Sequence, residues 1–420
     1  MVGARGANGD GPAGPRLGAG ALDLARMRRE RHARLQAGLE RAGAAALLLV
    51  APGNVRYATG AALMGGDGSR FQYERAAALV VAGAAEPHLF TPHPEGAPPE
   101  LSPGHLHPAP FLESREGVLH LAAILRELLG GRAPGPLAVD EITPPMLFGL
   151  GAALGAEIVD AGPITAAAKL RKTPDEIECI RRAQRINELA MLDVQAALRP
   201  GLRQTDLSAI FLRRIFELGA TGNGIDPIWQ VMPASLAEGP WTVHGDVPFP
   251  TVPGDRILRE GDVVWVDTGI DYEGYASDFG RTWLVGQPPR PSPRQLDQAR
   301  RWRSVMEAVL DAVRPGVSGL DLVRRAEAAN GGVRPWPAHF YLLHGIGTES
   351  AEMPFVGTDL GPAFDEGVVL EPGMVLVLEP AIWDDGCAGF RAEEIVGVAE
   401  AGWIPLSDHP HSPWDEAFAA

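Results

Sequence analysis

Four carboxylates and one imidazole stand where apolar runs end. Asp267 closes "GDVVWVDTG", and Asp278 follows it through the Gly-containing turn of "DYEGYASDFG". Glu379 closes "GMVLVLEP", and Glu393 follows a second turn, "DDGC", within "GFRAEEIVGV". Acidic groups facing one another from inner strands repel and shift each other's pKa unless positive charge lies between them. Divalent metal supplies that charge. Carboxylate oxygens with one imidazole suit manganese, iron, cobalt or zinc, and a bridged pair about 3.5 to 4 Å apart can create a hydroxide nucleophile near neutral pH. The natural imidazole is His344 in the Gly-flanked "LLHGIG".

The elements that must position these groups repeat. "ALRPGLRQTDL" (197–207) is echoed by "AVRPGVSGLDL" (312–322), with Pro200 and Pro315 separated by 115 residues. Each copy reads as the end of a helix, a Pro-Gly break and the start of the next helix. A strand and a hairpin carrying carboxylates follow each copy. Asp278 lies 78 residues after Pro200 and Glu393 lies 78 after Pro315, while Asp267 and Glu379 lie at 67 and 64. The duplication selects Glu393 over Glu394, because alternation along a strand turns only one of the two inward.

Upstream, the apolar runs at 45–51, 76–82, 136–142 and 156–162 alternate with helical patterns such as "VLHLAAILRELL" (118–129), which predicts an α/β domain. In "TPDE", Thr173 and Glu176 form a capping box around Pro174, and Ile177, Ile180, Ala183, Ile186 and Ala190 then recur on one helical face. The expected division is a disordered tail over 1–22, an N-terminal domain over 23–165 and a metal-binding domain over 166–420. All nine Trp lie between Trp229 and Trp414, as two units with different interiors would have it. A chain of 420 residues with 45% hydrophobic content can fill two such cores. Its net charge of -16, without a basic block, disfavours nucleic acid and anionic membranes as partners. Cys179 and Cys387 are too few for a disulfide framework, and the first twenty residues hold no apolar run, so a cytoplasmic protein is expected.

From about Lys169 to the end, the chain resembles the pita-bread metallopeptidase superfamily of methionine aminopeptidase, aminopeptidase P and prolidase. The two-domain layout resembles aminopeptidase P, prolidase and creatinase, whose smaller N-terminal domain has a creatinase-type α/β fold. The resemblance implies an α+β pita-bread catalytic domain with internal pseudo-twofold duplication. It also implies two divalent ions, manganese first, on Asp267, Asp278, His344, Glu379 and Glu393. Arg391 in "FRAEE" resembles the family's arginine that supports the site from behind the ligands, and Glu379 its proton shuttle. The implied reaction is hydrolysis of an Xaa-Pro type peptide or related amide by a homodimer.

One departure qualifies that reading. The family's peptidases carry two substrate-contacting histidines, and the position seven residues after His344 is here Ala351. The other falls on Pro250, with His244 and His339 as spare imidazoles. Their loss weakens stabilisation of a tetrahedral intermediate. A second expectation is therefore a lyase or hydrolase of a small zwitterionic metabolite, similar to dimethylsulfoniopropionate lyase. Glu349 or Glu352 would then act as general base, although Gly269 and Ser350 stand where that enzyme has acidic residues. A third is a non-catalytic binding scaffold. Glu352 joins Glu379 as a catalytic candidate, and Trp241, His339 and Ala351 are expected to line the substrate pocket, with Trp229 and Trp383 as further aromatic candidates.

Overall fold

The computed structural model describes residues 22–63, 75–130, 135–235 and 253–411. It divides into two compact units, one of Leu22–Glu176 with Gly347–Glu349, the other of the described residues from Ile177 to Ile346 and from Ser350 onward.

The first unit is built on a mixed six-stranded sheet. Its strands are β1 (Ala46–Leu49), β2 (Ala77–Val81), β3 (His88–Phe90), β4 (Leu106–His107), β5 (Leu137–Val139) and β6 (Ile158–Asp160), in the order β4-β3-β2-β1-β5-β6. The run around β1 is apolar at every position because both faces are covered. Leu47 and Leu49 join Leu35, Leu39 and Ile164 in one core, whereas Ala46 and Leu48 join Val118, Leu121, Leu125 and Leu150 in another. Helices Leu24–Ala42 and Gly162–Lys169 supply the first core, and Arg115–Leu128 and Pro144–Leu154 the second. This unit runs to Glu176, past residue 165, because Ile164 and Ala168 belong to its interior.

The second unit repeats a helix, a Pro-Gly turn, a helix and a strand. The helices are Pro174–Ala197 and Gln204–Glu217 in the first half, Pro293–Leu310 and Gly319–Ala329 in the second. Thr173 and Glu176 close the capping box, with the Thr173 N–H donating to Glu176 Oε2 at 2.7 Å and the Glu176 N–H to Thr173 Oγ1 at 3.2 Å. Gly201 and Gly316 occupy equivalent turns at φ 94° and 84°, where a side chain would strain the backbone. Their N–H groups donate to Leu258 O at 2.8 Å and Leu370 O at 2.9 Å. Each of those leucines precedes an acidic strand end, Asp267 or Glu379, by nine residues. The three-residue difference between the halves therefore falls ahead of the strands, which keeps their carboxylates in register.

The strands of this unit are β7 (Gly222–Val231), β8 (Val263–Tyr272), β9 (Tyr275–Ala276), β10 (Phe279–Leu284), β11 (Leu343–Gly345), β12 (Glu352–Val356), β13 (Val375–Leu378), β14 (Ala381–Trp383), β15 (Gly389–Arg391), β16 (Glu394–Val398) and β17 (Trp403–Pro405). They form an antiparallel sheet in the order β10-β8-β7 with β9 on β8, a second in the order β12-β11-β13-β16-β17, and the pair β14-β15. No helix among the described residues is long and apolar enough to cross a membrane.

Candidate metal centre

The apolar run of β8 is buried through Val264, Trp265 and Val266 and delivers Asp267 opposite Gly280 of β10. Glycine at 280 leaves room for the site, since a Cβ there would displace the ends of the Glu393 and Arg391 side chains. The helix Pro174–Ala197 fixes the chain beside both aspartates. Asn187 Nδ2 donates to Thr268 O at 2.8 Å and Ser277 Oγ at 3.0 Å, and Asn187 Oδ1 accepts from Thr268 Oγ1 at 2.9 Å. Gln184 Oε1 accepts from the Asp278 N–H at 3.2 Å.

In the other half, His344 pairs with Phe355 of β12 and Val377 of β13. Its Nδ1 lies 2.9 Å from Gly345 O, a partner that only accepts, so the neutral ring carries its proton on Nδ1. Nε2 is left facing Asp278 Oδ2 at 3.4 Å and Glu379 Oε1 at 3.3 Å. Glu379 follows β13, and its N–H donates to Leu342 O at 2.9 Å. The N–H of Glu393 donates to Gly280 O at 3.1 Å, which couples the two halves directly at the site. Arg391 donates to Asp267 Oδ2 at 3.2 Å, to Glu379 Oε2 at 2.5 Å and to Glu393 Oε1.

All five expected ligands and Arg391 are thus brought together, buried. Asp267, Asp278 and Glu393 each present an oxygen within 4.8 Å of the others. Asp267 Oδ1, Asp278 Oδ1 and Glu393 Oε2 are buried without a hydrogen-bond partner among the described residues. Unpaired carboxylate oxygens at such depth are costly unless a cation meets them, so this donor set fits divalent metal. Electrostatics agree. Burial, then Glu393, raises Asp267 to about 7 against the pull of Arg391. Burial, then Asp267, raises Asp278 to about 6. Glu393 is pushed well above the usual carboxylate range by burial, with Asp278 and Glu379 adding to it. Burial opposes but does not overcome Arg391 and His344 at Glu379, which is lowered, or the hydrogen bonds that a protonated His344 donates to Asp278 and Glu379, which raise it well above an ordinary histidine.

The remaining expected residues fall elsewhere or apart. Glu352 is buried on β12 opposite Gly345, and Ala351 is half-buried just before it. Glu349 lies 3.4 Å from Lys169 Nζ within the first unit, an ion pair that occupies it. His339, expected in the pocket, is instead exposed at φ 62° with Asp359 at 2.6 Å, because that carboxylate also accepts its N–H. Trp229 is fully buried against Phe211 and Trp283 and serves as core rather than pocket. Trp383 is half-buried against Trp265. Trp241, His244 and Pro250 lie outside the described residues. A Cβ at Gly269 would approach Ile225 at 2.6 Å and Ser277 O at 2.8 Å, so no acidic side chain fits there without a shift.

Several positioning residues escaped the sequence reading. Gln184 and Asn187 interrupt an apolar helix face, a signal available in principle. Arg281 is buried and donates to Gly280 O at 2.7 Å, Glu393 O at 2.8 Å, Pro410 O at 2.9 Å and His409 O at 3.0 Å, which ties the C-terminal segment to two site strands. Glu394 faces away from the ligands and accepts from Ser407 and from His411 at 2.5 Å.

Residues 178–400 match the model of metallopeptidase family M24, and residues 31–171 match the creatinase/prolidase N-terminal domain. Over 354 residues the chain is 30% identical to "Probable dipeptidase PepE" of Mycobacterium tuberculosis, spanning 82% of this chain and 87% of that protein. It is also 30% identical over 241 residues to an Xaa-Pro dipeptidase of Pyrococcus furiosus, spanning 56% and 62%. Among solved structures, dipeptidase PepE from Mycobacterium ulcerans superposes with a TM-score of 0.70 at 25% identity, covering 94% of this chain and 98% of that one. The prolidase from Pyrococcus horikoshii superposes with a TM-score of 0.71 at 20% identity, covering 91% and 99%.

Proposed function

We propose, from the premise that this chain belongs to metallopeptidase family M24 and is a metallohydrolase, that its reaction is hydrolysis of an Xaa-Pro dipeptide or a related small amide at a centre of two divalent ions. The observation that carries this reading is the convergence of Asp267, Asp278, Glu379, Glu393 and His344 Nε2, with three buried carboxylate oxygens unpartnered among the described residues. Divalent ions bound there, manganese in the first instance, supply the positive charge that lowers the pKa of water and polarises a carbonyl. Asp267, Asp278, His344, Glu379 and Glu393 would hold them. Glu379 accepts the proton of the attacking water and returns it to the departing amine. Arg391 fixes the orientation of Asp267, Glu379 and Glu393 by hydrogen bonding to all three. The substrate is a small molecule or short peptide, and the working form a cytoplasmic homodimer.

Ala351 favours a second reading, elimination or hydrolysis of a small zwitterion on the same ligands, since a methyl group cannot donate to an oxyanion. Gly269 counts against it, because its surroundings leave no room for a further acidic ligand. Elemental analysis of protein purified without chelator, paired with assays on Xaa-Pro dipeptides, tests the main reading. About two divalent ions per chain, lost in Asp278→Asn together with dipeptide cleavage, are expected. Metal-free protein that cleaves dipeptides, or metal-loaded protein that cleaves none, would overturn it.

A further inference from the structure

Tyr341 stands three residues before His344, half-buried, just ahead of β11. Its ring meets the His344 imidazole edge-on, with centroids 5.3 Å apart at 78°, and meets Phe355 edge-on at 5.4 Å and 69°. Phe355 lies opposite His344 in the β11–β12 ladder, their rings stacked at 6.2 Å and 30°. The three rings form a wall in which His344 is buried and the other two are half-exposed. A ring held edge-on between two neighbours keeps one direction, and its hydroxyl keeps that direction too.

That hydroxyl has no hydrogen-bond partner among the described residues. A phenol is protonated at neutral pH, so beside the ligand imidazole of His344 it stands as a donor. An oriented donor without an acceptor, beside a site where an amide oxygen would gain charge, is the arrangement that stabilises an oxyanion. Position 351, where the resemblance called for an imidazole, offers only a methyl group.

The geometry points to Tyr341 as a further catalytic residue, its phenol donating a hydrogen bond to the substrate oxygen that gains negative charge when water attacks the amide carbon. This rests on the hydrolase reading above. As the water oxygen bonds to carbon, the carbonyl π pair moves onto oxygen. That pair returns as the C–N bond breaks, and the amine leaves with the proton carried by Glu379. Tyr341 keeps its own proton throughout and contributes a contact stronger in the transition state than in the ground state.

Tyr341→Phe keeps the ring against His344 and Phe355 and removes only the hydroxyl. With manganese-loaded protein and an Xaa-Pro dipeptide, kcat is expected to fall roughly 10- to 100-fold, with KM, metal content and melting temperature unchanged. An unchanged kcat would overturn the assignment and leave the hydrolase reading standing. If the wild type cleaves no Xaa-Pro dipeptide, that reading fails, and calorimetric titration of manganese-loaded protein with inorganic phosphate, a tetrahedral oxyanion, decides the donor. Weaker phosphate binding by Tyr341→Phe keeps the phenol as an oxyanion donor at the metal centre, and equal binding overturns it.

Discussion

Glu379 differs from the other clustered carboxylates through its neighbours. Asp267, Asp278 and Glu393 are raised by burial and by one another, whereas Arg391 and His344 outweigh burial at Glu379 and hold it ionised. Its Oε1 faces His344 and its Oε2 is gripped by Arg391, so the group that can take a proton at neutral pH is also the one whose orientation is most restricted. Glu379→Gln keeps the shape and removes the base. Turnover of an Xaa-Pro dipeptide is expected to fall by about 10² to 10⁴, with circular dichroism and melting temperature near wild type; retained turnover would remove Glu379 from proton transfer. At this scale the ligand set was legible because acidic groups at the ends of apolar strands are conspicuous against their surroundings. Tyr341 was not, since what it touches depends on the β11–β12 register rather than on its place in "HFYLLHG". The role of Trp229 was hidden for the same reason, its companions Phe211 and Trp283 lying far along the chain.

At the scale of elements, the helix Pro174–Ala197 does more than bury an apolar stripe. Asn187 is completely buried and satisfies Thr268 O, Thr268 Oγ1 and Ser277 Oγ, the residues that follow Asp267 and precede Asp278. Ser277 Oγ in turn accepts from the Ile270 N–H at 3.0 Å, which closes the turn between the two ligand strands. Asn187→Leu fills a similar volume and strands these buried polar groups. It is expected to destabilise the protein by about 2 to 4 kcal/mol in urea unfolding and to reduce metal content, while Leu192→Ala, on an exposed side of the same helix, changes neither. Equal stability of the Asn187 variant would show that the helix does not brace the site. The helix start and apolar face were legible from the capping box and the spacing of Ile177, Ile180 and Ala183, and the paired Pro-Gly turns from their matching offsets. The polar residues that interrupt that face do not announce their partners, which are about ninety residues away.

For the whole molecule, the duplicated halves meet through four carboxylates for which Arg391 and His344 are the neighbouring positive groups when metal is removed. Asp267 at about 7 and Asp278 at about 6 sit above the value of a carboxylate in an unfolded chain, about 4. A raised folded-state pKa contributes stability that is fully present below the unfolded value and lost as pH rises through the folded one. Metal-free protein should therefore weaken between about pH 4 and 7, as unfolded carboxylates ionise freely and the buried ones resist. Metal replaces those protons and removes the penalty, while adding stability that grows with the logarithm of its free concentration relative to its Kd. The two effects act in the same direction at high pH. The gap in melting temperature between manganese-loaded and chelator-treated protein is thus expected to be several degrees wider at pH 8 than at pH 5, in Asp278→Asn narrower at both. A gap that does not depend on pH in the wild type would mean that the buried carboxylates are ionised without metal, with Arg391 and His344 alone supplying the positive charge that holds the two halves together.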